Sequence, residues 1–182
     1  MKEQWKVELV EWGKAIGLGI IIVFIIRTFL FSSYVVEGKS MMPTLDDGNK
    51  LMVNKIGVRL LDLERFDVVV FHHNDDNYVK RIIGLPGDRI QYVDDTLYVN
   101  GKKFEEPYLE KYKKSTSGKL TGDFTLEELT GEKIVPEGKV FVLGDNRRKS
   151  YDSRHFGFVD IDQLIGTVNV RYWPLNEIDM TF

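Results

Sequence analysis

The sequence predicts a mainly β domain that follows one N-terminal transmembrane helix. Residues 15–31 are almost entirely apolar, short apolar runs typical of strands fill the chain beyond them, and turns rich in glycine and proline separate those runs. A length of 182 residues suits one domain plus an anchor. We therefore predict an N-terminal segment at 1–14, an anchor at 15–31 and a β-rich domain at 32–182.

The apolar segment at 15–31 carries one charge, Arg27, near its end. Its length as a helix is about 25 Å, slightly less than the hydrocarbon core of about 30 Å, and an arginine near a helix end can reach the interface. The uninterrupted apolar part, 15–26, would also suit a buried core helix or the apolar region of a cleaved signal peptide. Leu30 and Phe31 stand where a cleavage site would need small residues, which favours a retained anchor.

The basic residues near the anchor indicate its orientation. Lys2, Lys6 and Lys14 precede it, whereas Arg27 and Lys39 follow it. The positive-inside rule then places the N-terminus in the cytoplasm and the β domain on the extracytoplasmic side of the cell membrane. The protein is thus expected to be a single-pass membrane protein in contact with lipid.

The composition excludes several classes of function. A formal net charge of −3 provides no basic field, so nucleic acid is not an expected partner. The absence of cysteine excludes disulfides, thiolate metal sites and cysteine nucleophiles. His72 and His73 are adjacent, and adjacent strand residues point to opposite faces, so the pair does not fit one metal ion. We expect neither a metal nor a cofactor.

Periodicity and turn chemistry outline the β domain. Leu85–Asp88 has the composition of a type II turn, and Asn100-Gly101 is typical of a type I′ hairpin. The segment at 105–137 is polar, has little periodicity and is interpreted as a surface insertion with a short helix at 124–129. Strands are predicted at 67–71, 77–83, 89–93, 96–99, 102–104, 140–143 and 165–172.

Ser40 is the first candidate for chemistry. It follows a glycine-lysine pair and precedes a proline turn, in the run VVEGKSMMPTL at 35–45. Such a context could hold a hydroxyl on a fixed, exposed turn. The chain has seven serines, however, and a loop serine is usually only a polar surface residue.

Lys80 is the second candidate, within YVKRIIGLPGD at 78–88. Strand alternation places it on one face with Tyr78 and Ile82. An apolar environment would lower the pKa of a lysine from about 10.4 towards neutrality and make it a usable general base. The alternative is a lysine whose stem covers apolar surface while its ammonium group reaches water.

A charged loop, GDNRRKSYDSRHFG at 144–157, is the third candidate. It could be a solvated loop, or a network that orders a site through arginine–carboxylate pairs. Asp145 and Asp152 could also form an aspartic dyad, but the neighbouring arginines would keep both ionised. Taken together, the three segments are consistent with a lysine amine that deprotonates a serine hydroxyl for attack on a peptide carbonyl.

At these residues the chain resembles bacterial type I signal peptidases of the short, single-anchor kind found in Gram-positive bacteria. The resemblance covers nearly the whole chain, because the anchor, SMMPTL, YVKRIIGLPGD, LYVNG and GDNRRKSYDSR occur in the order of that family. It implies a signal-peptidase-type β-domain on the outer membrane surface. It also implies a serine endopeptidase that cleaves signal peptides from exported pre-proteins after small-x-small motifs.

The resemblance implies a role for each motif residue. Ser40 matches the nucleophile, Lys80 the general base, and Ser150 a serine that hydrogen-bonds and positions the lysine. The charged residues that order the site are Asp145, Arg147, Asp152 and Arg154, with Arg81 as an ionic partner of Asp145.

The surroundings of Ser40 complete the predicted site. Some family members carry a serine two residues before the nucleophile that contributes to the oxyanion hole, whereas this chain has Gly38. The Ser40 backbone N–H would then have to supply more of the stabilisation of the oxyanion. The residues that flank the two catalytic positions are candidates for lining the substrate pocket, namely Val36, Met41, Tyr78 and Val79.

Two other functions are compatible with parts of the sequence. Self-cleaving repressors of the SOS response share a Ser-Lys β domain by fold resemblance, but they carry a DNA-binding domain where this chain has an apolar segment. A tethered β domain without activity could bind a partner protein instead. Intact Ser40, Lys80 and Ser150 favour the peptidase over this binding module.

Overall fold

A computed structural model describes residues 2–25, 30–56 and 63–181. Within these ranges an N-terminal helix, α1 (Lys2–Ile25), precedes a domain built mainly of strands, so the predicted mainly β class is confirmed. The strands are β1 (Phe31–Val35), β2 (Lys50–Asn54), β3 (Val68–His73), β4 (Asp76–Gly84), β5 (Ile90–Val93), β6 (Thr96–Val99), β7 (Lys102–Phe104), β8 (Phe124–Thr125), β9 (Lys139–Leu143), β10 (Val159–Asp160) and β11 (Leu164–Trp173). The short helices are α2 (Glu110–Ser115), α3 (Leu126–Thr130) and α4 (Ser153–Phe156), and 3₁₀ turns lie at Pro107–Leu109, Ile161–Gln163 and Leu175–Glu177.

Helix α1 presents large apolar side chains to its surroundings. Ile16, Leu18, Ile20 and Phe24 are all more than half exposed. Among the helices that the structure describes, none has both the length and the apolar content required to cross a bilayer. Residues 26–29 of the predicted anchor lie outside the described residues. Its last residue, Phe31, is the first residue of β1.

The strands form two antiparallel sheets. The first has the order β1-β2-β11-β3-β4-β9-β10 and the second the order β7-β6-β5-β8. The predicted turns form as expected: Asn100 and Gly101 have φ values of 52° and 78° between β6 and β7. At Leu85–Asp88, the last N–H donates to the first carbonyl oxygen at 3.0 Å, and Gly87 has a φ of 84°.

Three buried clusters hold the sheets together. Two of them pack against the first sheet, and the third joins the second sheet to β4 and β9 through Ile83, Phe141 and Leu143. The segment at 105–137 contributes to this third cluster and to the second sheet. Its fully or almost fully buried apolar residues are Leu109, Leu120, Phe124, Leu126 and Val135. The segment is therefore more than a surface feature, because it supplies part of the core.

Strand β4 positions the candidate site. It lies inside the first sheet, between β3 and β9. The turn that follows β1 reaches the middle of β4 through the contact of Ser40 with Lys80, and the charged loop that follows β9 reaches it through the contact of Asp145 with Arg81. Three segments that are far apart in sequence therefore meet at Lys80.

Candidate active site

Ser40 lies in a tight turn at residues 38–45, after β1. Two backbone N–H groups of the turn donate to the carbonyl oxygen of Met41, each at 3.0 Å. Gly38 opens the turn with a φ of 85°, a conformation that a residue with a Cβ rarely adopts, and its N–H donates to Asp47 Oδ1 at 2.7 Å. These bonds hold the Ser40 hydroxyl on a defined, half-exposed turn.

Lys80 projects from β4 towards that hydroxyl. Its Nζ lies 2.8 Å from Ser40 Oγ and 2.9 Å from the carbonyl oxygen of Val79. The Tyr78 ring is on the same side of the strand, with its centroid 5.4 Å from Nζ. Only 2% of Lys80 is exposed to solvent, so the ammonium group does not reach water as a surface lysine would. The geometry matches a nucleophile and a base in direct contact.

Burial lowers the pKa of Lys80 to about 8, because a charged ammonium group loses its hydration there. The carboxylates of Asp152 and Asp145 favour the charged form and oppose this shift, but burial dominates. A group of this pKa is neutral in about a tenth of molecules at pH 7 and in most molecules above pH 9. Lys80 can therefore accept a proton near physiological pH, which an exposed lysine cannot do.

Arg81, the next residue of β4, forms a buried ion pair with Asp145 of the charged loop. Arg81 Nε and Nη2 donate to the two carboxylate oxygens at 2.9 and 2.6 Å, and both side chains are almost inaccessible to solvent. Thr44 Oγ1 donates to the same carboxylate at 2.6 Å. Asp145 thus ties β4 to the turn that carries Ser40.

Asp152 orders the far end of the charged loop. Its carboxylate accepts two bonds from the Arg154 guanidinium, both at 2.9 Å, one from the Arg154 N–H at 3.3 Å, and one from the N–H of Gly144 at 3.1 Å. Burial alone would raise the pKa of this carboxyl, but the bonds and charge of Arg154 and the Gly144 N–H lower it overall. Asp152 therefore stays ionised, which is incompatible with an aspartic dyad that shares one proton.

Arg147 connects the loop to the second sheet. Its guanidinium forms a 2.5 Å ion pair with Glu106 and donates at 2.9 Å to both Tyr92 Oη and Thr121 Oγ1. It also donates to the carbonyl oxygen of Gly144 at 3.2 Å, so Arg147 connects the first residue of the charged loop to the second sheet. Both charged side chains of the pair are buried, which makes Arg147 a structural cross-link and not a group that meets substrate.

Ser150 differs from what the resemblance implies. Its Oγ is buried and makes no hydrogen bond to Lys80, so the expected bond is not formed in this structure. The hydroxyl lies instead close enough to the Asp152 carboxylate to help lower the pKa of that carboxyl. It also packs against Gly144 and lies near the Ser40 backbone. A Cβ on Gly144 would overlap both Ser150 Oγ and the Ser40 carbonyl oxygen, so only glycine fits there.

A cleft of about 690 Å³ opens at Ser40 and Lys80. It is bounded by residues 33–41, by residues 75–80 and by two side chains of the charged loop, Lys149 and Tyr151. The side chains predicted to line a pocket, Val36, Met41, Tyr78 and Val79, are all on its walls. Strand β9 pairs with β4 only from Arg81 onwards, so on that side the backbone of residues 77–79 has no strand partner in the part of the chain that the structure describes.

Sequence reasoning missed several residues that build the site. Thr44 and Asn146 lie inside the motifs, but their partners are about a hundred residues away, and nothing local in the sequence indicates those contacts. Glu106 and Tyr112 lie in the polar segment at 105–137 and carry no motif. Their roles follow only from the packing of that segment against the charged loop.

Comparison with known proteins agrees with this geometry. The model of the family described as signal peptidase, peptidase S26, matches residues 9–173. Signal peptidase I of Bacillus caldolyticus is 59% identical over 167 residues, which cover 91% of this chain and 92% of the relative. Signal peptidase IB of Staphylococcus aureus (strain MRSA252) is 47% identical over 183 aligned positions, with 97% and 96% coverage.

A solved structure gives the same result. The crystal structure of a signal peptidase I from Enterococcus faecalis is 47% identical, has a TM-score of 0.57, and covers 58% of this chain and 96% of its own. The identities of 59% and 47% to the two curated relatives extend over more than nine-tenths of both chains and show shared family membership, not a common fold alone. The chain therefore belongs to the signal peptidase family, peptidase S26, and is a serine peptidase.

Proposed function

We propose that the protein removes N-terminal signal peptides from exported pre-proteins by a Ser40–Lys80 dyad, at the outer surface of the cell membrane. The observation that carries this proposal is the 2.8 Å contact between Ser40 Oγ and the buried amine of Lys80. The names of the relatives, signal peptidase I and IB, supply the substrate class. Their high coverage also favours this function over a self-cleaving repressor.

The chemistry follows from that contact. Neutral Lys80 takes the proton of the Ser40 hydroxyl while Oγ attacks the scissile carbonyl carbon, and the negative charge develops on the carbonyl oxygen. The Lys80 ammonium then returns the proton to the leaving amine, the C–N bond breaks, and an acyl-Ser40 ester remains. Water, deprotonated by the same amine, hydrolyses the ester and restores the free serine.

Substrate binding is proposed to use the open edge of β4. An extended peptide could pair with the backbone of residues 77–79 as an added strand, with its alternate side chains directed into the cleft. Val36 and Met41 are already buried, and with Tyr78 and Val79 they would leave room only for small side chains near the scissile bond. This arrangement accounts for a small-x-small requirement.

The anchor is proposed to be the apolar segment at 15–31, with the N-terminus at 1–14 in the cytoplasm and the domain at 32–182 outside. Support comes from the exposed apolar side chains of α1, such as Ile20 and Phe24, which lipid would cover. A hydrophobic anchor next to the domain would keep the cleft close to signal peptides that are themselves embedded in the membrane.

Cleavage of a pre-protein by the detergent-solubilised full chain tests this function. We expect a new N-terminus directly after the small-x-small motif, and an unchanged rate when a chelator is added. A pre-protein with phenylalanine in place of the last small residue is the matched control and should stay intact. Binding of the pre-protein without cleavage would instead support a tethered binding module, and inhibition that added metal reverses would contradict a dyad mechanism.

A further inference from the structure

Asn146 bridges the charged loop and the Ser40 turn. Its backbone N–H donates to the carbonyl oxygen of Ser40 at 2.9 Å, and its side-chain Nδ2 donates to the carbonyl oxygen of Lys39 at 2.8 Å. The Lys39 oxygen also receives the Met42 N–H, but at a longer distance of 3.4 Å. Asn146 is itself 4% exposed, so these bonds are shielded from water. It therefore holds the two peptide carbonyls on either side of the Ser40 Cα.

The bond to Lys39 has a consequence for the Ser40 N–H. A peptide unit is planar and trans, so the C=O of Lys39 and the N–H of Ser40 lie in one plane and point in opposite directions. Fixing the Lys39 oxygen therefore fixes the direction of the Ser40 N–H. That N–H donates no hydrogen bond to any other described residue, so it is available to a ligand.

Gly38, two residues before Ser40, does not supply an oxyanion donor. Gly38 has no side-chain hydroxyl, and its N–H is bonded to Asp47 at 2.7 Å. Ser40 N–H belongs to the nucleophile itself and is the donor adjacent to Ser40 Oγ, so its alignment decides how well it can bind an oxyanion formed there.

Tyr112 holds the Asn146 amide in place. Tyr112 lies in α2, within the polar segment at 105–137, and its hydroxyl donates to Asn146 Oδ1 at 2.6 Å. The Lys39 carbonyl oxygen can only accept a hydrogen bond, so it must pair with the Nδ2 donor of the Asn146 amide. The Tyr112 hydroxyl donates to Oδ1, the acceptor of the same amide, and so fixes the orientation of the group. The polar segment is in this way connected to the nucleophile turn by two consecutive side-chain hydrogen bonds.

We propose that Asn146 is a positioning residue that, held by Tyr112, sets the plane of the Lys39–Ser40 peptide and directs the Ser40 N–H at the oxyanion of the transition state. This inference rests on the proposed peptidase function. It assigns to the segment at 105–137 a part in transition-state stabilisation, in addition to its part in the core.

Two variants test the inference. Asn146→Ala removes the bond to Lys39, and we expect kcat to fall by about 10- to 100-fold. This fall is no larger than the fall in kcat that follows removal of a complete oxyanion donor, because the Ser40 N–H is misdirected and not lost. Tyr112→Phe removes one neutral hydrogen bond on an accessible helix, and we expect a fall of about fivefold. KM should change by less than about twofold in both variants, because the ground-state peptide does not depend on the oxyanion donor. Tyr98→Phe, in the second sheet and away from the cleft, is the matched control and should leave kcat unchanged.

Two readouts separate positioning from a general structural defect. A peptide aldehyde, which forms an oxyanion on reaction with the serine, should lose affinity by the same factor as kcat/KM. The acid limb of the pH–rate profile should stay where it is in the wild type, because Lys80 is not touched. The rates are expressed per active site, from titration with the aldehyde, so that misfolded protein does not count.

The possible results are distinct. If the wild type does not cleave pre-proteins, the proposed function fails before the variants are compared. If the wild type cleaves and both variants keep its kcat, the inference about Asn146 is wrong. A loss of kcat with unchanged aldehyde affinity, or with a displaced acid limb, would also overturn it, because the effect would then not act through the oxyanion donor.

Discussion

Lys80→Ala is expected to lower kcat for pre-protein cleavage by about 10⁴- to 10⁶-fold, the range found when a member of a coupled nucleophile–base unit is removed. The reason is that Lys80 Nζ, at 2.8 Å from Ser40 Oγ, is the proposed base for the hydroxyl. Ser40→Ala should cause a loss of the same order, and the double variant should lose little more, since the two groups act as one unit. Steady-state and single-turnover rates with a purified pre-protein measure all three.

Two controls make the Lys80 result specific. Lys80→Arg keeps the positive charge but cannot supply a neutral base, and it should be as inactive as the alanine variant. Lys102→Ala changes an exposed lysine of the second sheet and should keep the wild-type rate. Activity of Lys80→Ala within tenfold of the wild type would show that another group removes the serine proton.

Asp145→Asn is expected to lower the free energy of unfolding by about 3–5 kcal/mol, the cost of leaving a buried charge without its partner. The Arg81 and Asp145 side chains are 1% and 0% exposed, so water cannot replace the lost carboxylate. The Arg81 guanidinium would keep its bond to the Phe66 carbonyl oxygen at 2.9 Å, but that neutral acceptor does not compensate the charge. Urea denaturation of the full chain in detergent, followed by the fluorescence of its tryptophans, measures the change.

Glu105→Gln is the matched control for that variant. It makes the same carboxylate-to-amide change in an ion pair with Lys103 at 2.7 Å, but both side chains of this pair are more than half exposed. Solvent already screens such a pair, so we expect no measurable change in stability. Equal destabilisation by the two substitutions would mean that burial of the Arg81–Asp145 pair contributes nothing particular to the fold.

The elements that could be predicted from sequence are those encoded locally. The turns at Leu85–Asp88 and Asn100-Gly101 need specific backbone conformations that proline, glycine and asparagine supply, and both form. Strands β1 and β2 were missed because Phe31, the first residue of β1, ends the apolar segment assigned to the anchor, and no two-residue hairpin turn joins the two strands. Their pairing with each other, and that of β2 with β11, is a long-range property.

The residues of the candidate site were also predictable only where the sequence encodes them locally. Ser40 and Lys80 could be selected because the motifs around them occur in the same order as in the family that the chain resembles, and the shared face of Tyr78 and Lys80 follows from strand alternation. The contact between Asn146 and the Ser40 turn crosses 107 positions of the chain and depends on how the turns pack. The hydrogen bond expected between Ser150 and Lys80 is absent for the same kind of reason, since packing turns that hydroxyl towards Gly144.

The pH dependence of kcat/KM tests the central claim, that a neutral Lys80 is the base, most directly. Burial lowers the pKa of Lys80 to about 8, so the active, neutral form is lost as the pH falls through that value. The expected profile for the wild type therefore has an acid limb with its midpoint near 8 and falls about tenfold for each pH unit below it. A rate that stays constant between about pH 6 and about pH 9 would contradict a lysine base.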